Sequence, residues 1–159
     1  MTSKSAANTK TAKKIKSPKK AKQIAIEPSL IQCRKEIPIE NLLLDPENYR
    51  IKYLKLKKQS DIKEQLLLHE DGRTMVKKIL SAGQIYEESY VIPTRGGKYL
   101  VIEGNTRGAA QKEINDLIAD GNLIPQSKCD FKKVKCVVLK PSLSNAKIRR
   151  LLAELHLAG

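Results

Sequence analysis

The order of elements in this chain predicts a small α+β domain, and three observations carry that prediction. A short apolar strand, YLVI at 99–102, runs across a glycine straight into a helix within VIEGNTRGAA (101–110). The same strand is the second arm of a hairpin, SYVIP (89–93) and KYLVIE (98–103), around a Gly-Gly turn at 94–97. Amphipathic helical stretches and an alternating strand, KVKCVVL (133–139), flank this unit. Strand, helices, hairpin, helix, strand and helix in that order fit one α+β layer pair.

Taken in order, the first strand is expected at 34–39 (RKEIPI), followed by a turn or brief helix over Glu40–Leu44 and a Pro-Asn loop, DPENYR (45–50). IKYLKLKK (51–58) alternates apolar and basic residues and fits either a strand or a helix start. Ser60, with Asp61 behind it, is an N-cap for a helix through Leu68. His69–Gly72 interrupt it, and Thr74–Ala82 form a second helix closed by Gly83. The helix after the hairpin spans 105–119, with Ala110, Ile114, Leu117 and Ile118 on one face, and stops near Gly121. A last helix, 144–157, carries Ile148, Leu151, Leu152 and Leu155 as its apolar stripe.

The 159 residues suit one folded domain with an aliphatic core: 40% are apolar, 4% aromatic, and there is no Trp. The net charge of +14 is uneven. Residues 1–22 hold eight Lys and no acid; beyond them 23 basic residues face 17 acidic ones. Residues 1–30 are therefore expected to be a disordered basic tail and 31–159 the domain. Lys13, Lys14, Lys16, Lys19 and Lys20 give that tail the means to neutralise phosphates of DNA or RNA, or simply to keep the chain soluble. Three Cys without CxxC spacing indicate neither a zinc site nor a disulfide framework, and no metal site is expected from them. Reduced thiols point to a cytoplasmic location, or a nuclear one. No apolar run reaches membrane-spanning length, and neither a secretory leader nor a membrane partner is expected.

The strand-to-helix corner holds the chemistry. Gly104 supplies the positive-φ backbone such a corner needs, and Asn105 or Thr106 can cap the helix. Gly104, Asn105 and Thr106 also offer backbone N–H groups and a hydroxyl to an anion, reinforced by the helix dipole. Arg107 lies in the first turn, where its fork can grip a phosphate with two parallel bonds; the plain alternative is an ion pair with Glu103 or Glu113. Glu103 could hold a metal or take a proton from water, but an ordinary solvated turn residue is the favoured reading. The two His residues have no metal-spaced partner, and the five Tyr form no platform for stacking bases.

These pieces resemble, in order, the ParB/sulfiredoxin superfamily. IPIENLLLDPENYR (37–50) is similar to the opening segment, Gly83 with VIP (91–93) to the approach to the hairpin, KYLVIEGNTRGAA (98–110) to the glycine–arginine signature, and KCVVL (135–139) to the following strand. The resemblance implies a ParB-like N-terminal domain with a short mixed sheet, and a nucleoside triphosphate, CTP or ATP, bound with Mg²⁺. It also implies DNA as a partner, and a homodimer or a protein partner. The loop of Arg50 is then brought near the nucleotide, where Arg50 adds charge at the phosphates or contacts DNA, the plain alternative being a solvated surface residue. Gly83 with 89–94 comes near the nucleoside. Two departures stand out. Sulfiredoxins place a catalytic Cys where this chain has Asn105, which argues against sulfinic-acid reduction. The second phosphate motif of ParB proteins, E-N-x-x-R, is matched here only by Glu154, since Leu155 replaces its Asn.

The expected function is thus nucleotide binding tied to DNA partition or another DNA transaction, with the phosphates at Gly104–Arg107. One alternative is an enzyme, a ParB-like nuclease or small-molecule kinase using Glu103 and Glu154, whose set of two carboxylates is thin. The other is a nucleic-acid-binding accessory protein indifferent to nucleotide.

Overall fold

A computed structural model of the chain describes residues 26–124 and 131–157. The five tail lysines named above and Cys129 lie outside them. Of the residues assigned to the tail, Pro28–Leu30 form one 3-10 turn and Ile26 is buried.

Five strands make one mixed sheet: β1 (Ile31–Pro38), β2 (Leu42–Leu43), β3 (Ser89–Pro93), β4 (Tyr99–Glu103) and β5 (Lys133–Leu139). Their spatial order is β1-β5-β3-β4-β2. β1 runs antiparallel to β5 and β3 to β4, whereas β5 with β3 and β2 with β4 are parallel. The helices are α1 (Gln59–Leu68), α2 (Glu70–Ala82), α3 (Asn105–Ala119) and α4 (Asn145–Leu157). This is the α+β domain expected, with a mixed sheet, a hairpin and flanking helices.

Strand alternation gives the sheet two apolar faces. Ile37, Val91, Val101, Val134, Cys136 and Val138 form one. Ile102, Val137 and Leu139 lie on the other, under the α4 stripe of Ile148, Leu151, Leu152 and Leu155. On the first side α3 is tied to the strands through Gln111, whose amide donates to the carbonyls of Phe131 and Lys133. Leu44, Ile51, Ile62, Leu66 and Ala109 close the space between α1 and α3. Small residues in α3 make that approach possible: a Cβ on Gly108 would sit 3.2 Å from Leu44 Cδ2. Burial pushes the Cys136 thiol up to about 12, so it packs as a small apolar group.

Several elements depart from the sequence expectation. Between 39 and 44 the chain makes a 3-10 turn, Ile39–Asn41, and then a two-residue strand, since Leu42 is buried and pairs with Tyr99. The 51–58 segment makes one 3-10 turn, Lys52–Leu54, ending on Lys55 in the left-handed region. Ser60 is not the cap of α1: Lys58 holds that position without a side-chain bond. Gln59 instead clamps the Leu44 backbone, accepting from its N–H (2.7 Å) and donating to its C=O (2.9 Å). The break between α1 and α2 is His69 alone rather than 69–72. Gly72 keeps the corner that tight, because a Cβ there would run into the backbone of Leu66 and Leu67. Gly83 closes α2 as expected, at φ 70° and with its N–H bonded to the Ile79 carbonyl.

Candidate functional site

At the C-terminal end of β4 the chain turns through Gly104, at φ 101°, directly into α3. The turn has no room for a side chain: a Cβ there would lie 2.7 Å from Ser89 Oγ and 2.8 Å from Arg107 Nη2. Gly104, not Asn105 or Thr106, occupies the N-cap position. The first turn therefore begins without a side-chain cap from that residue, and its N–H groups and dipole favour an anion by about 0.3–1 kcal/mol when exposed.

Asn105 does something the sequence reading did not assign. Its side chain is 3% exposed and turned inward, where it bridges two segments. Oδ1 accepts from the N–H of Asp45 at 2.8 Å, and Nδ2 donates to the Val101 carbonyl at 3.0 Å. The amide thus fastens the DPENYR loop to β4. Within the loop, Asp45 Oδ1 accepts from the Glu47 N–H and Asn48 Oδ1 from the Arg50 N–H. Burial holds the Asp45 carboxyl above its usual range.

The loop, the start of α3 and one side of α2 enclose a cleft of about 290 Å³. Arg50, Glu103, Gly104, Asn105, Thr106 and Arg107 all line it, so the structure brings most of the predicted positions together. It adds Asp71, Thr74, Met75 and Lys78 from α2, which sequence reasoning missed. Their 3–4-residue spacing marked one helical face, but nothing in the sequence said that this face meets Gly104.

Arg50 and Arg107 are both held. Arg50 Nη1 lies 2.8 Å from Asp71 Oδ2, and Arg50 Nε donates to the Tyr49 hydroxyl at 2.9 Å. The Tyr49 bond, then the Asp71 carboxylate, raise the Arg50 pKa further. Arg107 is only 14% exposed. Its Nη1 meets Glu87 Oε2 at 3.1 Å and its Nη2 donates to the Glu88 carbonyl at 3.0 Å. Its ion-pair partner is thus Glu87, not Glu103 or Glu113; the latter pairs with Lys63 at 2.9 Å. The buried Arg107 Nε has no hydrogen-bond partner, which normally costs about 1–3 kcal/mol.

The other predicted positions lie elsewhere. Gly83 caps α2 and is not among the cleft-lining residues. Glu154 lines a separate depression with Ile26, Leu30 and Lys147, and pairs with Arg150 one turn before it at 3.4 Å. The structure does not bring Glu103 and Glu154 together. Among the described residues no three His, Cys, Asp or Glu are grouped to hold a metal ion. The carboxylates that line the cleft are Glu103 and Asp71, the latter already paired with Arg50. Among the described residues no helix is long and apolar enough to cross a membrane.

Fold and cleft together define a small α+β domain with a cleft at the corner after its fourth strand. No family model and no curated protein matches the chain. Among solved structures it is similar to the C-terminally truncated chromosome-partitioning protein ParB from Caulobacter crescentus, crystallised with CTP-gamma-S. The TM-score is 0.46 at 17% identity, covering 80% of this chain and 54% of that one. The chain spans about half the length of that protein.

Proposed function

We propose that the cleft binds the phosphates of a nucleoside triphosphate, CTP or ATP, carried with Mg²⁺, and that the domain is a ParB-like nucleotide-binding module acting on DNA. The observation that carries this reading is the Gly104 corner, where an uncapped helix start opens into a cleft that also receives Arg50, Lys78 and Arg107. A helix N-terminus beside a guanidinium and an ammonium suits phosphate oxygens, and the resemblance of KYLVIEGNTRGAA to the superfamily signature supports the same ligand. Thr106 adds a hydroxyl, and the Arg50 loop closes the far side. The basic tail then strengthens attachment to DNA in a salt-dependent way. A hydrolytic or nuclease reading finds less support, because Glu154 opens onto a different surface.

Calorimetric titration with the four common nucleoside triphosphates and Mg²⁺ tests this. At least one should give saturable heat, weakened by about tenfold or more in Arg107→Ala, the usual scale for a charge-assisted bond. Absence of heat with all four overturns the reading.

A second measurement uses the protein's own carboxylate. Glu87 occupies the Arg107 fork that a phosphate would need, and its side chain is 65% exposed. Glu87→Gln removes a competing negative charge, so nucleotide affinity should rise several-fold, by about 1 kcal/mol. An unchanged or weaker affinity would show that the fork takes no part in binding.

A further inference from the structure

α2 has a second lined side. Asp71, Thr74 and Lys78 give one side to the cleft, whereas Arg73, Val76 and Lys77 face a groove of about 690 Å³ between α1, α2 and α3. Leu67, Leu68, Val76 and Leu117 supply its apolar surface, and Leu68 is 55% exposed. Leu67, Val76 and Leu117 are half-buried, so the groove has an apolar floor, open at Leu68, between charged rims.

The rims differ in charge. On the α2 rim, Arg73 and Lys77 are exposed, stand one helical turn apart, and have no ion-pair partner among the described residues. Exposed Glu64 stands on the α1 rim. The remaining pair is already closed, with Lys63 Nζ 2.9 Å from Glu113 and 2.6 Å from Asp116.

We propose that this groove docks an amphipathic helix of a partner protein, with two acidic residues one turn apart on the flank that meets α2. Cations at i and i+4 are matched in spacing by acids at i and i+4 on a facing helix, since both follow the 5.4 Å pitch. Leucine-type anchors three and four residues apart on that helix then fill the strip around Leu68, Val76 and Leu117. A basic residue on the opposite flank answers Glu64. The chain's own N-terminal segment is a poor occupant, because its lysines would meet Arg73 and Lys77 with like charge. The docking does not depend on what the nucleotide cleft holds.

The probe is a fluorescein-labelled 16-residue helical peptide with leucines on one face, a Glu pair one turn apart on one flank and a Lys on the other. Fluorescence polarisation with the full chain should show saturable binding. Arg73→Glu combined with Lys77→Glu should weaken it by about tenfold or more, and a peptide with Lys in place of the Glu pair should regain affinity for that variant. Lys133→Glu with Lys135→Glu, an exposed pair on β5, should leave binding unchanged, which separates docking from attraction to a basic protein. Circular dichroism confirms that each variant is folded. Equal binding of acidic and charge-reversed peptides, or indifference to the α2 substitutions, overturns the proposal. So does sedimentation showing that the chain self-associates through this groove and excludes the peptide.

Discussion

Gly104→Ala is expected to lower the melting temperature by roughly 10 °C and to abolish nucleotide binding. Two independent costs add. At φ 101° any L side chain is strained by about 1–2 kcal/mol. The new Cβ would also press on Ser89 Oγ at 2.7 Å and Arg107 Nη2 at 2.8 Å, and overpacking of that kind costs about 1–3 kcal/mol. Neither neighbour has an easy retreat, since Ser89 is 1% exposed on β3 and Arg107 is bonded to Glu87 and the Glu88 carbonyl. A total of about 3 kcal/mol is a large fraction of a domain's stability. Gly97→Ala is the control. It carries a positive φ of 74° but meets nothing within 4 Å, so it should lose only the backbone part. Thermal melts of the two variants decide the matter: equal losses would mean that the close approach to Ser89 is not tight.

Asn105→Leu should be nearly as damaging, at about 2–4 kcal/mol, although it preserves size and adds apolar surface. The amide meets one donor and one acceptor, the Asp45 N–H and the Val101 C=O, and leucine leaves both unanswered. Each buried group left without a partner costs about 1–3 kcal/mol. The consequence reaches the cleft, because the Asp45 bond is what fastens the loop carrying Arg50. Nucleotide affinity should fall with stability, and the amides of Asp45 and Glu47 should exchange faster with solvent. Thr106→Ala, one residue along, should leave stability within about 0.5 kcal/mol, as is usual for a position outside the core. Chemical denaturation and hydrogen exchange of the pair test this; unprotected Asp45 and Glu47 amides in the native chain would contradict the bridging role.

Much of the architecture was visible in the residues alone. The hairpin around Gly96 and Gly97, the helix from 105 to 119, the strand at 133–139 and the left-handed stop at Gly83 all follow from local preference. Alternation, helical periodicity and positive-φ glycine each act over a few residues. Ser60 misled because a good cap residue does not secure the cap when Gln59 is recruited by Leu44, fifteen residues earlier. The two-residue β2 carried no signal of its own, since it exists through its pairing with β4.

The site divides along the same line. By itself the sequence determined that a strand turns into a helix at Gly104 with an arginine in the first turn, because backbone sterics and helix polarity are local. Only the tertiary structure decided that Asn105 points inward to hold a loop sixty residues away, that Arg107 is held by Glu87, and that α2 supplies Lys78 to the same cleft. Hydrogen bonds and charges act across space, and which groups come within about 3 Å is set by packing rather than by neighbourhood along the chain.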